Sequence, residues 1–165
     1  MTQATMTVEE RAAALGITIP AAPAPKGSYR SVILIDRLVF TAGVGPIYDG
    51  IRPYVGYVGD DISIDQARKA ARLAALNAVG LVRSAIDDLQ TIERIVKLTG
   101  YVRSAHGFTG QTLVLDAASD LLLQLFGERG RHVRTAVGVA ELPFGIPVEI
   151  EIVAQCHQAE RTATP

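Results

Sequence analysis

Gly130-Arg131-His132-Val133-Arg134-Thr135-Ala136-Val137-Gly138-Val139-Ala140 runs through Glu141-Leu142-Pro143-Phe144-Gly145 into Ile146-Pro147-Val148-Glu149-Ile150-Glu151-Ile152-Val153. Val137, Val139, Val148, Ile150, Ile152 and Val153 supply β-branched side chains that suit a pleated surface, and Leu142 to Gly145 interrupts them as a turn. The pattern predicts a C-terminal β-hairpin. Arg134 lies at the start of its first strand, while Glu149 and Glu151 lie within the second, two residues apart and so on one face. Charges on strands this apolar either point to solvent or line a pocket. Read from the residues alone, Arg134 has a second role open to it, an ion pair across the hairpin to Glu149 or Glu151, with the register deciding which.

Working outward, Ser31 to Ile35 and Leu38 to Ala42 flank Asp36-Arg37 and predict a first hairpin. The stretch from Ala42 to Asp61 is rich in glycine and reads as loop, with a short strand near Tyr54 to Tyr57. Ser63-Ile64-Asp65-Gln66 fits a capping box, and the proline-free, alanine-rich run from Ala67 to Ile86 predicts a long helix. Its alanines let the helix lie close to a sheet, and Asn77 within it is read as a hydrogen-bonded core group. Ile92 to Val102 reads as a strand with a bulge at Gly100, and Thr109 to Phe126 as a helix capped by Gly127. The order ββαβαββ predicts an α+β fold: a mixed β-sheet with two helices packed on one face. Nothing in the sequence covers the other face, so burial by another copy of the chain is expected.

The chain has 165 residues and 48% hydrophobic content, enough for one domain with a sizeable core. We place an N-terminal helix and Pro-rich extension at 1–26, a single α+β domain at 27–157 and a flexible tail at 158–165. Thr7-Val8-Glu9-Glu10 is a second capping box and opens a short helix over 8 to 15, read as an appendage. Pro20, Pro23 and Pro25 make the next segment an extended connector that drapes over the domain. Net charge is −1, which gives no bulk case for nucleic acid or an anionic membrane as partner. Neither a secretory signal nor a membrane-length apolar run is visible, so the reading is soluble and cytoplasmic. Cys156 is the single cysteine, and His106, His132 and His157 show no metal-ligand spacing and read as surface or loop residues. No metal or other cofactor is expected.

Arg134-Thr135-Ala136-Val137-Gly138-Val139-Ala140-Glu141-Leu142-Pro143 followed by Val148-Glu149-Ile150-Glu151 resembles the Rid/YjgF reactive-intermediate deaminase family, also called endoribonuclease L-PSP, of chorismate-mutase-like fold. Further similarity lies in Pro25-Lys26-Gly27-Ser28-Tyr29, in Phe40 to Pro46, in Ala70 to Ala78 and in Phe126 to His132. It spans roughly residues 17 to 155 and is nearest the longer branch with an N-terminal extension. The resemblance implies a homotrimer with clefts between subunits. It implies hydrolysis of small 2-imino or 2-enamino acids to 2-oxo acids and ammonia, with a small-molecule carboxylate as partner. Arg134 matches the arginine that holds the substrate carboxylate, Glu149 the cleft glutamate that orients or deprotonates water, and Tyr29 a cleft tyrosine. Gly43 and Ala136 fall at further substrate-binding positions. Three residues depart from the pattern: Ala42 replaces a serine, Ala136 a cysteine and Val44 a glutamine, which makes the implied pocket more apolar. A non-catalytic carboxylate-binding or regulatory trimer is therefore the alternative. An endoribonuclease is the third reading, against which near-neutral charge and 5% aromatic content count.

Overall fold

A computed structural model describes residues 6–25 and 27–157, so the expected tail at 158–165 lies outside the described residues. Its elements in chain order are α1 (Val8–Ala14), β1 (Val32–Ile35), β2 (Leu38–Thr41), α2 (Ile64–Ile86), β3 (Ile92–Arg103), α3 (Gln111–Phe126), β4 (Val133–Val139) and β5 (Val148–Cys156). The five strands form one mixed sheet in the order β1-β2-β5-β3-β4. This is the expected α+β arrangement, with α2 and α3 on one face.

Both capping boxes form. Thr7 and Ser63 accept from the amides of Glu10 and Gln66, and those side chains return to the amides of Thr7 and Ser63. Helix α2 presents Ala67, Ala70, Ala71, Ala74, Ala75 and Ala78, all fully buried, to the sheet and to α3. Opposite them stand Val148, Ile150, Ile152 and Ala154, the alternate residues of β5 that face the helices. Period-3.6 and period-2 patterns thus meet in one core. Helix α1 adds Val8 and Ala12 to that core, so it is packed into it and is more than an appendage.

Three local expectations are corrected. The C-terminal hairpin does not form: β4 pairs in parallel with β3, and β5 pairs antiparallel with both β2 and β3. Strand β3 therefore lies between the two segments that sequence adjacency suggested were partners. Gly100 is not a bulge; it pairs regularly with Ala136 and Ile150, and the register shifts fall near Ile92 and Ile95 instead. Its missing side chain serves packing, because a Cβ there would stand 2.5 Å from Leu115 Cδ2, closer than carbon atoms approach. No strand forms at Tyr54 to Tyr57, where Pro53 and Gly56 break the backbone and Asp61 accepts from the Tyr57 amide; the isolated bridges on either side are at Ile51 and Val58.

On the face away from the helices, Ile33, Ile35, Leu38, Val133 and Val137 are exposed, between 36% and 66%. An apolar sheet face is thus left bare within the chain. At the other side of the sheet, Asn77 is buried in α2 and donates through Nδ2 to the carbonyls of Gly45 and Ile47 at 2.9 and 2.8 Å. That fixes the loop after β2. Replacing Asn77 with leucine strands two carbonyls, and we expect a loss of about 2–3 kcal/mol in urea unfolding.

Candidate functional site

The loop fixed by Asn77 forms one wall of a cavity of about 290 Å³. Its floor is apolar, from Val44, Ile47, Leu81 and Ile146, and its rim is made by Pro23 and Ala24 of the N-terminal strap and by Pro143 and Phe144. Three predicted residues meet here: Tyr29, Gly43 and Glu149, with Ala42 beside them. The serine-to-alanine departure at position 42 therefore falls inside the cavity. Gly43 is required by a close approach, since a Cβ there would lie 2.8 Å from Glu149 Cδ. Any other residue displaces the carboxylate.

Glu149 is half-buried and, among the described residues, makes no ion pair or hydrogen bond. Burial first, and the charge of Glu151 second, push its carboxyl above the ordinary range. Glu151 shares its strand face and accepts from the Tyr101 hydroxyl at 3.3 Å. Desolvation, and then Glu151, raise the Tyr101 phenol in turn.

Arg134 and Ala136 stand elsewhere. They lie opposite Leu98 and Gly100 on β4, on the helix-bearing face, whereas Glu149 lies opposite Tyr101 on the other face. Neither Glu149 nor Glu151 is an ion-pair partner of Arg134. Its Nη1 instead donates to Asp116 Oδ1 at 2.9 Å and to Ser119 Oγ at 3.0 Å, both on α3. Its Nη2 donates to Thr112 O at 3.5 Å, and among the described residues its Nε makes no hydrogen bond.

Sequence reading missed the group behind Arg134. His132 is half-buried, not a surface histidine. A carbonyl can only accept, so the 2.7 Å contact with Gly130 O puts the proton on His132 Nδ1. Nε2 then accepts from the Ser119 hydroxyl at 3.0 Å, which leaves Ser119 a lone pair for Arg134. Desolvation, outweighing the Gly130 bond, and then the nearby Arg134 charge keep His132 below its usual pKa and neutral. The spacing of Ser119, His132 and Arg134 in sequence carries no signal of this; only the packing of α3 beside β4 brings them together.

Arg52 and Phe144 were also missed. Arg52 reaches the cavity from the glycine-rich loop, its guanidinium carbon 4.0 Å from the Phe144 ring centroid. The tip of the β4–β5 connection is held by the Gly56 amide and by Arg103, both donating to Gly145 O. Arg103 also pairs with Glu141 at 2.8 Å and lies over the Tyr57 ring. Phe144 sits within this tip at φ 60, a left-handed conformation that bulky residues seldom adopt.

The five-stranded sheet with its two-helix layer defines a chorismate-mutase-like α+β fold. A family model described as "YjgF/chorismate_mutase-like, putative endoribonuclease" matches residues 9–154, and the chain belongs to this family. It is 40% identical over 144 residues to Protein TCP17 of Trypanosoma cruzi, covering 87% of this chain and 90% of that protein. Among solved structures it resembles Atu1372 of Agrobacterium tumefaciens, a protein of unknown function: 37% identity, TM-score 0.85, 91% and 92% of the two chains covered. A Shewanella oneidensis protein that carries the same endoribonuclease description is similar at 31% identity and TM-score 0.88, over 91% of this chain and 99% of that one. Among the described residues no helix is long and apolar enough to cross a membrane.

Proposed function

We propose that the protein hydrolyses small 2-imino or 2-enamino acids to 2-oxo acids and ammonia, in clefts shared between copies of a homotrimer. The observation that carries this reading is Glu149: a half-buried carboxyl with raised proton affinity, unpaired among the described residues, against Gly43 and near Tyr29 in a small cavity. Such a group exchanges protons closer to neutral pH than an ordinary carboxylate does. In the reaction Glu149 gives a proton to the imine nitrogen, and water adds to the carbon as the carboxylate takes a proton from it. The resulting carbinolamine loses ammonia and leaves the 2-oxo acid. Arg134 of a neighbouring copy supplies the fork for the substrate carboxylate, since planar guanidinium and carboxylate match through two parallel bonds. The bare apolar face is where the copies meet.

Added to an amino-acid oxidase reaction, the protein should shorten the lifetime of the imine and raise the rate of 2-oxo acid release. A folded trimer that accelerates none of a panel of imines overturns the reading. The non-catalytic alternative is favoured by Ala42 in the cavity and by Asp116 already holding Arg134. It predicts that carboxylates raise the melting temperature without turnover.

A further inference from the structure

Among the described residues lining the Glu149 cavity, Arg52 is the only arginine or lysine. Its Nε is shut off from solvent and has no hydrogen-bond partner among the described residues, and no carboxylate pairs with the side chain there. Arg37, Arg68, Arg103, Arg131 and Arg134 each have one. A donor buried without a partner is rare in folded proteins, because it forfeits its water without replacement. The side chain is nonetheless held in place: Phe144 stacks against it at 4.0 Å from a backbone conformation at φ 60. Glu149 lines the same cavity without pairing to it, so its two ionisable groups of opposite charge stand apart.

We infer that Arg52 is an anion-binding group of this cavity, and that the ligand is a small acid with two anionic groups, one taken by Arg52 and the other by Arg134 of the neighbouring copy. The second half rests on the reading proposed above; the first needs only this chain. The terminal nitrogens of the guanidinium supply donors to a carboxylate, and Phe144 stacks on the group they belong to. At about 290 Å³ the cavity is near the small end of ligand sites, roughly 300 Å³, which suits a short dicarboxylate better than an extended ligand.

The test is calorimetric titration of the full chain with 2-oxoglutarate and pyruvate, which differ in the second carboxylate. Wild type should bind the dicarboxylate at least about tenfold more tightly, the worth of one charge-assisted contact. Arg52→Gln should bring that ratio close to one, and Arg52→Lys, which keeps the charge without the fork, should retain part of it. Arg134→Gln should weaken both acids and leave their ratio. Equal wild-type affinities, or a ratio that Arg52→Gln leaves intact in a protein with wild-type melting temperature, overturn the inference. If Arg134→Gln changes neither affinity while Arg52→Gln still collapses the ratio, the Arg134 assignment fails and the Arg52 site stands.

Discussion

Mixed and allowed to exchange subunits, the Arg134→Gln and Glu149→Gln proteins should regain imine hydrolysis that neither shows alone. The two side chains project from opposite faces of the sheet, on strands separated by β3. One chain cannot bring them together, so a cleft using both must take Arg134 from one copy and Glu149 from the next. In a cyclic trimer assembled at random from equal amounts, roughly a quarter of the clefts carry both native residues. Each single variant should fall about a hundredfold or more in kcat/KM, since each loses a charged contact to the reacting molecule. The mixture should return to about a quarter of wild-type rate. No recovery after exchange has been demonstrated by mass spectrometry overturns the shared cleft.

Glu149→Gln should also move rate and stability in opposite directions. Loss of the proton-transfer group should lower kcat by about 10²–10⁴. Stability follows from linkage: burial and Glu151 raise the Glu149 pKa, so the folded chain holds this proton more tightly than the unfolded chain. Wild-type stability therefore declines as pH climbs from the ordinary glutamate value, about 4.3, through the raised value, and declines no further above it. Glutamine has no proton to lose. The variant should melt higher than wild type near neutral pH, and the difference should vanish toward about pH 4. Thermal melts by circular dichroism at both pH values check this, and a wild type that melts higher at neutral pH overturns the raised proton affinity of Glu149.

What the sequence revealed, and what it did not, follows the range of the interactions. Capping boxes at Thr7 and Ser63, the alanine face of α2 and the buried role of Asn77 are written within one or two helical turns, and all three are present. Strand partnership is a long-range property. Arg134 and Glu149 sit in strand segments joined by a turn, and nothing local to them announces that β3, some 30 residues earlier, inserts between them. The same limit applies to the site. Glu149, Gly43 and Tyr29 were found through the resemblance and do line one cavity. Arg52 was invisible because a lone arginine among glycines looks like any solvated loop cation, and Ser119 with His132 because only the docking of α3 on β4 makes them neighbours.

The strap before β1 has a consequence for how such a protein can diverge. Arg83 anchors it by donating to the backbone carbonyls of Ile19 and Pro20 at 3.1 and 3.0 Å, groups that every residue possesses. A few residues on, Pro23 and Ala24 form part of the cavity wall. The attachment is thus indifferent to side-chain identity while the wall is made of it. Selection can repaint the surroundings of the cavity by exchanging this short piece of chain, leaving the helix-on-sheet core and Glu149 untouched, so related proteins can change the cavity wall at little cost in stability.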